Sequence, residues 1–175
     1  MKNSRTTKLI PYDALRRAEA VQMVAEFFAD HFSVSEYTEA AITSERLQAA
    51  DEDFDEWLER DSATLFFIED DGVTSGLILF AKHGGTVVWI ENLYVKKEFR
   101  RRGIATRAIK LAEQYALEVM KAPAINMDVI PQNVDALRLY HSLGYDTLQM
   151  ITVRKSLNDD EKEHPIELLG FEFKI

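Results

Sequence analysis

Six consecutive residues, Arg100-Arg101-Arg102-Gly103-Ile104-Ala105, have the makings of an anion site. A β-rich run ending at Val95 passes through Lys96-Lys97-Glu98-Phe99 into this turn and then straight into a helical pattern, so unpaired backbone N–H groups converge where the helix begins. Gly103 and the small Ala105 let a phosphate come close to the backbone, and the arginines add positive potential around it. The alternative is that Gly103 only relieves a tight turn and the arginines are solvated. No Gly-x-x-x-x-Gly-Lys-Ser/Thr occurs and no Gly-x-Gly-x-x-Gly follows the first strand, so neither a P-loop ATPase nor a Rossmann dinucleotide site is expected.

Asn133 stands where it would cap a short helix. Tyr140 shares a face of that helix with Ala136 and Leu143, so packing is one role for it. His141 points about 100° away from Tyr140 on the same helix. His31, His83 and His164 fall in unrelated segments and form no ligand set, so no metal is expected.

The elements that position these residues are read from periodicity. Lys8 to Tyr12 is a first strand, and Asp13 caps a helix to about Asp30 in which Leu15, Ala18, Val21, Ala25 and Phe28 share one face. Glu36 to Arg60, without Gly or Pro, suits one or two amphipathic helices. Thr64 to Glu69 and Val73 to Phe80 form a hairpin about Asp70-Asp71-Gly72, and Thr86 to Val95 follows a second turn at His83-Gly84-Gly85. A helix runs from Arg101 to about Met120 and ends before Pro123. Ala124 to Ile130 is a strand, Asn133 to Leu143 a helix stopped by Gly144, and Tyr145 to Arg154 another strand. After a polar linker, Ile166 to Ile175 reads as one final strand with Phe171, Phe173 and Ile175 on one face. It either completes the sheet or pairs with a second subunit, so a homodimer is expected.

The 175 residues, 46% hydrophobic, are enough for one substantial core, and the expectation is a single α+β domain over 1–175 around a mixed sheet. Its parts are 1–61, 62–157 and 158–175. There is no Cys, which excludes disulfides, thiolate zinc sites and a cysteine nucleophile and suggests the cytoplasm. No run approaches the roughly 20 apolar residues of a membrane span, so a soluble protein with no membrane partner is expected. A net charge of −9 argues against nucleic acid as a partner. The charge is uneven: ten acidic and two basic residues lie between Glu36 and Asp61, but seven basic and one acidic between Lys96 and Lys110.

Arg100, Gly103 and Ala105 match Gln/Arg-x-x-Gly-x-Gly/Ala, and Asn133-Val134-Asp135-Ala136-Leu137-Arg138-Leu139-Tyr140-His141-Ser142-Leu143-Gly144-Tyr145 matches Asn-x-x-Ala-x-x-x-Tyr-x-x-x-Gly-Phe/Tyr. These two signatures, in this order, resemble those of the GCN5-related N-acetyltransferase superfamily, with the likeness good from about Ala63 to Leu157. The resemblance implies an α/β/α layered fold with a mostly antiparallel sheet and a splayed strand at the acetyl-CoA site. It implies that Leu93, Tyr94 and Val95 pair with the pantetheine arm and that Arg100, Arg101, Arg102, Gly103, Ile104, Ala105 and Thr106 hold the pyrophosphate. It further implies Glu91 as the carboxylate that removes the ammonium proton, directly or through water, and Tyr140 as the donor that protonates the departing thiolate. Asn133 would also meet the coenzyme, and the Leu93 N–H would polarise the acetyl carbonyl. Most of the catalysis would come from holding amine and thioester together.

In the family, the helices after the first strand commonly wall the acceptor pocket, and here they are acidic. A cationic small-molecule amine, such as a polyamine or an aminoglycoside, or a peptide amine fits that charge, whereas a helical face kept acidic for solubility explains it equally well. The rival readings are a protein acetyltransferase acting on an N-terminal or lysine amine, and a noncatalytic acyl-CoA-binding module.

Overall fold

Asp71 and Gly72 both take left-handed φ values, 53° and 80°. Their two-residue turn has the twist that joins adjacent antiparallel strands, here β2 (Thr64–Asp70) and β3 (Val73–Ala81). The computed structural model describes residues 6–155, 157 and 164–175. Around this hairpin, β1 (Thr7–Pro11) pairs antiparallel with β2, and β4 (Val88–Val95) antiparallel with β3. The short β5 (Ile125–Met127) runs parallel to β4, giving the order β1-β2-β3-β4-β5. A parallel neighbour requires a crossover, which α3 (Ile104–Glu118) supplies.

Alternation along the strands divides the core in two. Leu65, Phe67, Leu77 and Leu79 face α1 (Arg17–Ser35) and α2 (Ser44–Glu59), packing with Met23, Val24 and Phe54. Phe66, Ile68, Ile78, Phe80 and Ile90 face α3 and pack with Ile104, Ala108 and Ala112. Phe54, Phe67 and Phe80 are fully buried, and truncating any one to Ala would cost about 3–5 kcal/mol. The fold is mixed α+β with a mostly antiparallel central sheet, as the sequence implies.

The chain forms two compact units, Met1–Asp128 and Val129–Ile175; the divisions read from sequence, after 61 and after 157, lie inside them. The second unit holds α4 (Val134–Ser142), followed by Gly144 at φ 93°. It also holds a hairpin of β6 (Pro165–Leu168) and β7 (Phe171–Lys174).

Several expectations are corrected. Leu15 does not join the buried face of α1: Asp13 caps a 3-10 turn, Ala14–Arg16, and leaves Leu15 94% exposed. The acidic stretch makes one helix, α2, within the expectation of one or two, and it is capped by the Thr43 hydroxyl, which accepts from the Arg46 N–H at 3.3 Å. The strand expected over Tyr145 to Arg154 does not form. Its apolar residues remain, but a strand needs a ladder to satisfy its backbone, no described strand pairs with it, and Leu148 and Val153 stand 73% and 70% exposed. The single strand expected over Ile166 to Ile175 is the β6–β7 hairpin instead, because Leu169 and Gly170 take left-handed φ values of 54° and 81° and reverse the chain. The linker residues 158–163 lie outside the described residues.

Candidate active site

The β4 strand carries the first part of the site. Its pairing to β3 shifts at one point: Leu79 opposes Asn92 and Phe80 opposes Ile90, so Glu91 is an extra residue, a β-bulge. The bulge reverses the strand's alternation. Val88 and Ile90 pack toward α3 before it, and Leu93 and Val95 do so after it, while Tyr94 turns into the α1–α2 core. On the other edge β5 opposes only Val88, Trp89 and Ile90. From Glu91 to Val95 that edge of β4 has no strand beside it among the described residues. The Tyr94 hydroxyl donates to Glu26 Oε2 at 2.8 Å, and burial with the Glu26 carboxylate beside it raises the phenol well above its ordinary value.

Glu91 is gripped from two directions. Arg60, the residue that closes α2, donates through Nη1 to Oε1 at 3.0 Å and through Nη2 to Oε2 at 2.6 Å. His83 Nε2, in the β3–β4 turn, lies 2.8 Å from Oε1. The hydrogen bond to Glu91 outweighs partial burial and raises Arg60 above its ordinary value.

Beyond Val95 the chain makes a 3-10 turn, Lys97–Phe99, and then a tight reversal with left-handed φ at Arg101 (61°) and Gly103 (72°). The Arg107 N–H makes the first α3 bond, to Gly103 O at 3.1 Å. The N–H groups of Ile104, Ala105 and Thr106 precede it, and Gly103 has no side chain with which to cap them. These donors stand at the turn where the sequence leads one to expect an anion site.

The arginines mostly build the loop. Arg100 Nε donates to Val95 O at 2.8 Å and its Nη2 pairs with Asp30, which also takes Lys97 at 3.2 Å. Arg102 Nη2 donates to Glu98 O at 2.6 Å. Arg107 ties the turn to the sheet: Nη1 donates to Arg102 O (3.0 Å), Nε to Thr7 Oγ1 (2.6 Å) and Nη2 to the buried Asp70 Oδ1 (2.8 Å). From sequence no site role attaches to Arg60, Asp70 or Arg107, and His83 is set aside as belonging to no ligand set. Of these only Arg107 carried a local signal, its position one helical turn past Gly103, from which a side chain leans back toward the N-terminus.

In the second unit Asn133 Oδ1 accepts from the Ala136 N–H at 3.2 Å and caps α4, as its position implies. Tyr140 is half-buried, with its ring 6.3 Å from that of Tyr145, and burial raises its phenol above the ordinary value. His141 is exposed. Thus Glu91, Leu93, Tyr94, Val95 and Arg100 to Thr106 stand on one continuous strand, turn and helix, and Asn133 and Tyr140 share another helix. Among the described residues no group of three or more His, Asp or Glu is placed to hold a metal ion, and no helix is long and apolar enough to cross a membrane.

The candidate site thus sits on a mixed sheet layered between helices, where a strand edge is left open just before an uncapped helix N-terminus. The profile of the Acetyltransferase (GNAT) family matches residues 23–145, and the chain belongs to that family. It is 28% identical over 93 residues to the spermidine N(1)-acetyltransferase of Escherichia coli K12, covering 53% of this chain and 50% of that protein. The chain thus spans about half the length of that curated relative. In fold it is similar to aminoglycoside N-acetyltransferase AAC(6')-Iy in complex with CoA, with a TM-score of 0.65 and 16% identity over 90% of this chain and 99% of the other. It is also similar to a ribosomal-protein-alanine N-acetyltransferase from Brucella melitensis, with a TM-score of 0.59 and 14% identity over 87% and 100% of the two chains.

Proposed function

We propose that this chain is an acetyl-CoA-dependent N-acetyltransferase that moves the acetyl group to a primary amine of a small cationic molecule, polyamine- or aminoglycoside-like, by direct attack with both substrates bound. The observation that carries the reading is the continuity from Glu91 to Thr106: an open strand edge, a bulge bearing a carboxylate, and a helix start with uncapped N–H groups. In this reading the backbone of Leu93 to Val95 pairs with the pantetheine arm, and Arg100 to Thr106 receive the pyrophosphate. The Leu93 N–H polarises the acetyl carbonyl. Glu91 is the carboxylate on which loss of the ammonium proton depends, Asn133 contacts the coenzyme, and Tyr140, held in its protonated form by burial, gives its proton to the departing thiolate.

The acceptor class is supported by the activities that name the similar proteins, spermidine and aminoglycoside acetylation. It is supported too by the acids of α2. Asp51 and Asp55 pair with Arg17 at 2.7 Å each, but Glu45, Glu52, Glu56 and Glu59 are exposed and lend that helix a negative face. The absence of Cys in the sequence suits a reducing compartment, and we place the protein in the cytoplasm.

The test is release of CoA thiol, followed with DTNB, from acetyl-CoA against spermidine, an aminoglycoside and peptides with free N-terminal or lysine amines. Turnover with the small cations is expected. Turnover with peptides alone would replace the acceptor class, and neither turnover nor any acetyl-CoA-induced rise in Tm would overturn the enzyme reading.

A further inference from the structure

Arg60, His83 and Glu91 come from three elements, the end of α2, the β3–β4 turn and the β4 bulge, and meet at one carboxylate. Glu91 is the inner member, its side chain 17% exposed, and both of its oxygens are engaged by Arg60. His83 is the outer member, 52% exposed. Arg60 Nε is buried without a partner, so Glu91, not a wider network, sets the place of that guanidinium.

This arrangement fixes the state of the imidazole. With Glu91 ionised, a lone pair on Nε2 would face the carboxylate oxygen at 2.8 Å and be repelled, so the ring proton sits on Nε2. Nδ1 is left with the lone pair, and among the described residues no hydrogen bond or ion pair engages it. Trp89 meets the ring edge-to-face, centroids 5.4 Å apart at 84°, and limits its rotation. The other charge next to it in the chain is turned away: Lys82 Nζ donates to Met120 O at 3.1 Å. Among the described residues Glu91 is the charged group paired with His83, and Arg60 reaches the same carboxylate.

We propose that His83 is the catalytic base of the amine half-site, with Glu91 as the residue that positions it and Arg60 as the clamp that holds Glu91. The inference rests on the acetyltransferase reading above. In the step, an ammonium N–H bond breaks and the proton moves to His83 Nδ1, directly or through one water. The amine lone pair so released forms the C–N bond to the acetyl carbon, the C–S bond breaks, and the sulfur leaves as a thiolate that is then protonated. The imidazolium forms beside a carboxylate that it shares with Arg60, and its exposed edge returns the proton to solvent.

The test measures kcat/KM for acetylation of spermidine from pH 5 to 9, with the acetyl-CoA-induced Tm shift as a check on coenzyme binding. The native chain should lose activity toward acid through one titration. His83→Gln should lower kcat/KM about 10²-fold, flatten that limb and keep the Tm shift. Glu91→Gln should lower kcat/KM and keep the Tm shift, because the imidazole has lost the carboxylate that positions it. A His83→Gln variant with the native rate and the native limb overturns the proposal. A native chain that shows neither turnover nor a Tm shift overturns the acetyltransferase reading itself. Nitrogen NMR of His83, which needs no acceptor, should show Nε2 protonated and Nδ1 bare at pH 8, and the opposite tautomer also overturns the proposal.

Discussion

A Cβ on Gly76 would stand 2.0 Å from the carbonyl oxygen of Tyr94 and 3.1 Å from the Cα of Val95. The β3 backbone thus passes β4 more closely than any side chain allows, just where β4 leaves the sheet for the turn that leads into α3. Neighbouring contacts lock the approach: Ser75 is the extra residue in the β2–β3 register, its hydroxyl donates to Ile68 O at 3.0 Å, and the Lys96 N–H donates to Ser75 O at 2.8 Å. Because the clashing atom is backbone, Gly76→Ala cannot be relieved by a rotamer change. It should destabilise the protein by about 1–3 kcal/mol and shrink the acetyl-CoA-induced Tm shift, both measurable by thermal denaturation.

Gly103 tests the turn directly. Its φ of 72° suits glycine, and a Cβ there would meet Arg107 Nη1 at 3.2 Å. Acetyl-CoA at about 100 times its Kd should stabilise the native chain by about 2.7 kcal/mol, and Gly103→Trp should abolish that gain. A variant that keeps the full shift would remove the turn from the coenzyme site.

Asp70 acts on the same turn from a distance. It is buried and takes Arg107, which in turn holds the Arg102 carbonyl. Asp70→Asn keeps the shape but removes the charge that fixes Arg107. The expected result is a raised KM for acetyl-CoA with kcat nearly unchanged, since the turn loses its set position while the amine half-site is untouched. An equal fall in kcat with KM unchanged would show that the turn does not depend on this pair.

Tyr140 carries a pH prediction. Burial raises its phenol above the ordinary value, so at any alkaline pH less of it is ionised than of an exposed tyrosine, which is half ionised near about pH 10. The midpoint of any alkaline loss of activity from Tyr140 should therefore lie above that pH. Tyr140→Phe should slow thiol release in the DTNB assay by about 10² and leave the Tm shift in place. Loss of the shift would make Tyr140 a coenzyme-packing residue, and an unchanged rate would leave the thiolate to another donor.

Much of the fold was legible because its signals are local. Asp71-Gly72 is a turn from its own φ preferences, Asn133 caps from three residues away, and alternation in Thr64 to Phe80 sorts side chains to two faces without knowledge of what covers them. The same kind of signal was overlooked at Leu169-Gly170, where a left-handed pair makes a hairpin of what periodicity alone reads as one strand. It misled at Tyr145 to Arg154, because alternation reports a strand's suitability and not the presence of a partner.

By itself, then, the sequence determined the order of the core elements, the tight turn at Gly103 and the residue types at the candidate site, since each follows from neighbours within a few positions. Only the tertiary structure decided what those residues touch. Glu91 meets an arginine 31 positions away because α2 ends over the bulge, Arg107 meets Asp70 37 positions away because α3 lies on that face of the sheet, and Arg100 is drawn to Asp30 across 70 positions. Such pairs depend on how helices dock on a sheet. No spacing along the chain encodes them, and they decide which charges at this site are spent on structure and which are left for chemistry.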